Sequence, residues 1–214
     1  MMSRQQIKLK AKEDIRGRVF ICFLPWLIYA AIIGIITGFS ARDTYGSVST
    51  IVYLVLFPMV VGISKIYLEI VNNRNYDIKI GEVFAFYKSF NRIGHILAAY
   101  IISGLYIILG TILLIIPGII LALRYSMLPF VLADYDDIGW REALDKCKEI
   151  TKGRKFEIFV YNLSFIGWFL LGAITAGILY IYVAPYYTAT MANLYYHYNP
   201  KLTLGDNPQP FYNI

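Results

Sequence analysis

Over long distances this chain lacks charge. From Ile158 to Pro200 there is no Asp, Glu, Lys or Arg, and from Ile93 to Ala133 the sole charged residue is Arg124. A hydrocarbon core about 30 Å thick is crossed by about 20 helical residues rising about 1.5 Å each. Each stretch is about twice that length, which fits two crossings joined by a turn. Cysteine is scarce too: Cys22 and Cys147 both fall on the inner side in the orientation derived below, so no disulfide framework is implied. Enzyme and metal signatures are missing as well. His95 and His197 stand apart from any HExxH or Cys cluster, and there is no Gly-rich phosphate loop or nucleophile elbow. These absences point to a protein that is not an enzyme and carries no cofactor.

What is present is apolar. Of 214 residues, 58% are hydrophobic and only 16% charged, where a soluble domain carries about a quarter charged. The apolar residues come in blocks of helix-spanning length, unlike the short alternating segments of a membrane barrel. Only helices and closed barrels satisfy their backbone groups in lipid, so the predicted fold class is an all-α polytopic membrane protein. Six transmembrane helices are expected at roughly 19–39, 49–71, 94–115, 118–133, 156–175 and 178–197, forming one membrane domain over 1–198. The run from Val19 to Ala41 follows a long charged segment and exceeds a signal-peptide core, so it reads as a retained first span. The middle pair is expected to turn at Pro117-Gly118 and the last pair near Thr175 to Gly177. The segment 199–214, with Pro200, Pro208 and Pro210, reads as a mobile cytoplasmic tail.

Lys and Arg give the orientation. They cluster before span one, between spans two and three, and between spans four and five, with Lys201 after span six; the opposite side has Arg42 alone. By the positive-inside rule both termini are cytoplasmic, N-in and C-in. The outer side then has one short polar loop and two tight turns, which leaves no outer domain for an extracellular ligand.

The three basic segments resemble one another. Lys10 to Phe20, Phe84 to His95 and Ala143 to Phe156 each pair a short basic stretch with a Gly beside a cation and then an apolar run. A second Gly follows at Gly34, Gly110 and Gly172. The pattern reads as three copies of one unit: a basic amphipathic cytoplasmic surface helix, a hinge, and a helical hairpin. In the first helix Ser3 and Gln6 read as a capping box, with Ile7, Ala11 and Ile15 as a narrow stripe. In the third, Trp140, Ala143, Leu144, Cys147 and Ile150 share a face, Asp137 can cap the start and Gly153 suits the end. Such helices are expected in the headgroup plane, where each cation near an anionic leaflet contributes about 1 kcal/mol. Lys10, Lys12, Arg16, Lys148, Lys152 and Arg154 are the candidate lipid-facing residues.

Inside the spans few residues could carry chemistry. Arg124 lies six residues past Pro117-Gly118, and a mid-span Arg costs about 2.5–3.5 kcal/mol to insert. With Tyr125, Tyr186 and Tyr187 it forms the candidate intramembrane polar site, to be weighed against a snorkelling Arg and tyrosines that merely pack. Lys65 and Glu69 lie one turn apart, while Asp134, Asp136 and Asp137 read as helix capping more readily than as a cation site. Ala30, Gly34 and Gly38 form a small-residue stripe suited to close helix contact. The basic segments adjoin spans, so phospholipid is a nearer polyanion than nucleic acid.

An ordered set of motifs resembles a known family. Ile116-Pro117-Gly118-Ile119-Ile120, Arg124-Tyr125-Ser126-Met127-Leu128-Pro129-Phe130, Trp140-Arg141-Glu142-Ala143-Leu144, Ser164-Phe165-Ile166-Gly167-Trp168 and Pro185-Tyr186 resemble the bacterial family catalogued as domain of unknown function 975. The resemblance implies a multi-pass protein of the bacterial cytoplasmic membrane without a settled activity. A looser likeness to the membrane domains of some glycerophosphodiester phosphodiesterases hints at lipid association. The function expected is that of an accessory or structural membrane protein acting through the phospholipid bilayer, anionic lipid headgroups, a membrane-protein partner or a second copy of itself. The alternative is a small transporter or channel for an anionic or amphiphilic solute.

Overall fold

The computed structural model describes residues 3–40, 56–73, 76–135 and 137–199, and among these it is helical without strands. The helices are α1 (Arg4–Ile15), α2 (Val19–Ser40), α3 (Phe57–Asn72), a 3-10 helix (Ile80–Lys88), α4 (Phe90–Leu113), α5 (Ile115–Tyr125), α6 (Leu128–Asp134), α7 (Trp140–Ile150), α8 (Lys155–Ile174) and α9 (Tyr180–Tyr198). Among the described residues, four stretches are long and apolar enough to cross a bilayer: Val19–Gly38, Phe90–Leu113, Ile115–Asp134 and Lys155–Ile174. The expected loop after span one, the start of the expected second span and the tail from 200 lie outside the described residues. Asn199, assigned to that tail, is buried and donates to Asp134 at 3.3 Å.

α1 forms as its sequence dictates. The Ser3 hydroxyl accepts from the Gln6 amide at 3.3 Å, and the Gln6 side chain accepts from the Ser3 amide at 2.7 Å, so the capping box closes in both directions. The helix ends before Gly17, whose φ of +77° suits glycine. α7 ends in the same way before Gly153, at φ +75°. The middle copy of the repeat departs from this plan. Its surface segment is a 3-10 helix that ends at an extended Ser89, and Gly94 lies inside α4. α7 also differs at its start: Gly139 occupies the cap position, not Asp137.

The apolar stripes of α1 and α7 are used inside the protein. Ile7, Ala11 and Ile15 are buried and α1 packs on α9, while Ala143, Leu144, Cys147 and Ile150 are buried where α7 meets α4, α5 and α6. These helices therefore do not lay an apolar face on lipid as interfacial anchors do. A short stripe is satisfied by one groove, and neighbouring helices supply that groove.

The turn between α4 and α5 falls at Leu114, which is extended, and not at Pro117-Gly118. Pro117 sits in the first turn of α5, where its missing amide costs nothing. Gly118 serves close approach instead: a Cβ there would come 2.1 Å from the Thr111 hydroxyl and 2.8 Å from the Thr111 Cα. The tip, Ile112 to Ile116, is wholly apolar, and every residue in it is at least 65% exposed. The expected fourth span is broken at Ser126-Met127 into α5 and α6, because Pro129 cannot donate to the ladder. α8 and α9 join where the sequence suggests, through Ala176 (φ +51°) and Gly177 (φ +90°). Gly172 leaves room for the Tyr180 ring, whose hydroxyl donates to the Phe169 carbonyl at 3.1 Å.

The core sits at the basic end of the bundle. α3 and α9 pack on each other; α3 also packs on α6 and the 3-10 helix, and α9 on α1 and α2. Ile63, Ile66, Tyr67 and Ile70 of α3 meet the same cluster as Met127, Leu128 and Leu132 around α6 and Met191, Leu194 and Tyr195 of α9. Gly62 makes the approach of α3 to the 3-10 helix feasible, since a Cβ would lie 2.3 Å from the Val83 carbonyl oxygen.

Candidate functional site

Three polar groupings cover the residues that the sequence singles out, together with some that it does not. The first is a cavity of about 440 Å³ where α3, the 3-10 helix and the start of α4 come together. It is lined by Lys65, Lys88, Arg92 and His95, with Ser89, Asn91 and Asp137. Three permanent cations thus face one carboxylate. Arg92 is buried, and its guanidinium ties α4 to the α6–α7 link. It donates to the Leu132 carbonyl at 2.6 Å, to the Tyr135 carbonyl, and to the Ile138 carbonyl at 3.4 Å. Phe86 lies between two of the cations: the Lys65 ammonium is 5.8 Å and the Arg92 guanidinium 5.4 Å from its ring centre. Lys65, paired with Glu69 in the sequence reading, is therefore placed over Phe86 at the cavity wall. Lys88 and Arg92 belong to the second basic segment of the repeat, Phe84 to His95, and both also mark the inner side of the topology. The signal for the site is their clustering with His95 within eight residues, which puts three basic side chains at the junction of the 3-10 helix and α4.

The second grouping is the basic face of α1. Lys8 donates to the Ser164 hydroxyl at 2.6 Å and lies 4.9 Å from the Phe165 ring centre, and Lys12 lies 5.5 Å from the Tyr186 ring centre. Burial lowers the Lys8 and Lys10 pKa from the ordinary value, with Asp14 and Glu13 acting against it at Lys10. Asp14 is buried and accepts from the Asn193 amide at 2.7 Å, which ties α1 to α9. Of the six candidate lipid-facing cations, Lys12, Arg16, Lys148 and Lys152 are exposed, while Lys10 and Arg154 are half-buried. Lys148 pairs with Asp145 at 2.7 Å, and the Arg154 guanidinium lies 4.4 Å from the Tyr198 ring centre. Cys147 is buried in the packing of α7, and desolvation pushes its thiol up, which disfavours the thiolate.

The third grouping is the expected intramembrane polar site, and its members separate into two places. Arg124 lies half-buried in the last turn of α5, with the Thr151 hydroxyl 3.5 Å from its carbonyl. Because the turn falls at Leu114, Arg124 lies ten residues beyond it, about 15 Å along the helix and close to the end of α7. Tyr125 stacks on Tyr106 of α4 at 6.3 Å. Tyr186 and Tyr187 pack on Phe165 of α8 at 5.0 and 5.2 Å, and the Tyr187 hydroxyl donates to the Asn162 amide oxygen at 2.9 Å. Asp134 is held by Tyr195, whose hydroxyl donates to it at 2.7 Å, and Asp136 lies outside the described residues. Among the described residues, no group of His, Cys, Asp and Glu has the arrangement of a metal site.

Residues 107–199, from the distal half of α4 through α9, match the family described as Protein of unknown function (DUF975). Among curated proteins and solved structures, nothing matches the chain. The looser likeness to glycerophosphodiester phosphodiesterase membrane domains is not confirmed.

Proposed function

Starting from a chain whose residues 107–199 match the DUF975 family, we propose that it is a non-enzymatic accessory or structural protein of the bacterial cytoplasmic membrane. In this reading six spans form three hairpins with both termini inside. The basic end, with α1, the 3-10 helix and α7, then faces the cytoplasm and its anionic leaflet. The protein acts through lipid contact, through a membrane-protein partner or through a second copy of itself.

The observation that carries this reading is the solid apolar layer at the basic end. Ile63, Ile66, Met127, Leu132, Leu194 and Tyr195 are each at most 2% exposed where α3, α6 and α9 meet. A solute path needs an open gap at that level, and these side chains are packed closed, with the one polar group among them, the Tyr195 hydroxyl, bound to Asp134. The spanning helices also turn most of their surface outward: within the apolar 18-residue stretch of each, the share of buried residues is 11% in Val19–Gly38, 22% in both Phe90–Leu113 and Lys155–Ile174, and 39% in Ile115–Asp134. Side chains such as Ile112, Leu113 and Ile174 need lipid or another membrane protein to cover them.

The test is solute flux in proteoliposomes. Purified protein in vesicles loaded with chloride, phosphate or lactate is expected to release none faster than protein-free vesicles. Flux of any of these anions that fell in Arg124→Gln would replace the accessory reading with the transporter.

A further inference from the structure

The cavity at the start of α4 has a chemistry that the family match does not assign. We propose that it binds a phosphate-bearing anion, with Lys65, Lys88 and His95 as the contacting side chains and Arg92 as a fixed positive charge behind them.

Several observations converge on this ligand. Three cations against one carboxylate give the site a net positive field, and the chamber of about 440 Å³ has room for a glycerophosphate-sized group. Arg92 is held by the carbonyls of Leu132, Tyr135 and Ile138, so its charge is fixed in place before any ligand arrives. The cavity also lies at the N-terminus of α4, a helix of 24 residues whose first amides add partial positive charge. Ser89 stands at its cap without a side-chain cap hydrogen bond, and Ser89 and Asn91 line the wall. A carboxylate would be held by such a field as well, but four nitrogen-bearing side chains around one chamber suit an anion with three or more acceptor oxygens.

Exposed apolar side chains on the same elements suit a mouth at a membrane surface. Phe90, next in sequence to Ser89, is 91% exposed, and Phe84 and Ile80 of the 3-10 helix are 41% and 40% exposed. Exposed aromatic and aliphatic side chains around a basic chamber give one end to the acyl region and the other to a headgroup. Basic pockets at the cytoplasmic side of membrane helices are suited to lipid headgroups. The same chemistry would accept free phosphate from the cytoplasm. The inference rests on the accessory reading only in setting this rim at the inner leaflet.

Native mass spectrometry of the full chain released from detergent, with phosphatidylglycerol or phosphatidylcholine added, separates the outcomes. Titration of lipid-free protein with inorganic phosphate, followed by calorimetry, forms the second arm. The wild type is expected to retain one phosphatidylglycerol at least about tenfold more tightly than phosphatidylcholine. Lys65→Gln with Lys88→Gln should reduce that retention at least about tenfold, and Lys146→Gln, at a cation that pairs with Glu149 and does not line the cavity, should leave it unchanged. Lys88 is exposed, so Lys88→Gln alone keeps the fold and should already weaken retention. Retention of phosphatidylglycerol without phosphate binding assigns a lipid headgroup. Phosphate binding that is lost in the same variants assigns the free anion. Equal retention of the two lipids with no phosphate heat, or unchanged binding in both lysine variants, overturns the proposal. Those results would leave the flux result, and with it the accessory reading, where they stand.

Discussion

α2 and α9 are both charge-free helices of about span length, and they have opposite fates. α2 is almost entirely aliphatic and aromatic, yet only Cys22 and Pro25 among its described side chains are fully buried. α9 carries Tyr, Thr and Asn along its length and buries Tyr186, Thr188, Thr190, Asn193 and Tyr195. In water this would be inverted. In lipid the surroundings are as apolar as a leucine side chain, so burying aliphatic surface against protein gains little. Polar side chains gain by moving inside, where they find partners. Thr190 donates to the Tyr186 carbonyl at 2.7 Å, Asn193 binds Asp14, and Tyr195 binds Asp134. What decides the centre of this bundle is hydrogen-bonding need, helped by small residues such as Ala189 and Ala192 that let helices approach.

Matched substitutions break or sharpen this contrast. The largest difference is expected between two glycines. Gly62→Ala places a methyl group 2.3 Å from the Val83 carbonyl oxygen and 2.8 Å from that of Glu82, and backbone cannot swing aside. A loss of about 3 kcal/mol is expected on reversible unfolding in mixed micelles. Gly34→Ala, on α2, meets nothing among the described residues within 4 Å and should be neutral, or stabilising by up to about 1 kcal/mol. If both behaved alike, packing would not distinguish the two regions.

A smaller difference separates polar from apolar truncation. Asn193→Ala removes a donor from the buried Asp14 carboxylate and should cost about 2 kcal/mol. Ile35→Ala deletes a larger apolar side chain that is 60% exposed, and in lipid it should cost no more than about 0.5 kcal/mol. The reverse order would mean that aliphatic burial, and not polar pairing, organises the bundle.

Much of the local structure was legible in the residues. The Ser3–Gln6 box, the stripes of α1 and α7, the glycine ends at Gly17 and Gly153 and the turn at Thr175 to Gly177 each follow from short-range chemistry. The turn at Leu114 was not legible. Pro117-Gly118 is a strong turn signal in isolation, but proline suits a first helical turn equally well, and Gly118 is needed for its contact with Thr111. Hydropathy marks which segments prefer lipid and says nothing about which neighbour each one meets, so Gly62 and the central place of α9 had no visible sign. The basic cavity was half visible. Lys88, Arg92 and His95 cluster in sequence where the 3-10 helix meets α4, but Lys65 joins them only through tertiary packing. Arg124 and the tyrosines looked like one site because all are polar groups in apolar stretches, and the fold sends them to different helices.

The most direct measurement is water access to the α3–α6–α9 layer. In a Cys22→Ser, Cys147→Ser background, Thr190→Cys puts a thiol, smaller than threonine by one methyl group, at a position with no exposed surface. Membrane vesicles are treated with an impermeant maleimide from each side, with Lys152→Cys as the control. Protection of position 190 from both sides, with the control labelled from the cytoplasmic side alone, is the predicted result. Labelling of position 190 from either side would mean that water reaches the core, and would contradict the account of a packed, accessory bundle.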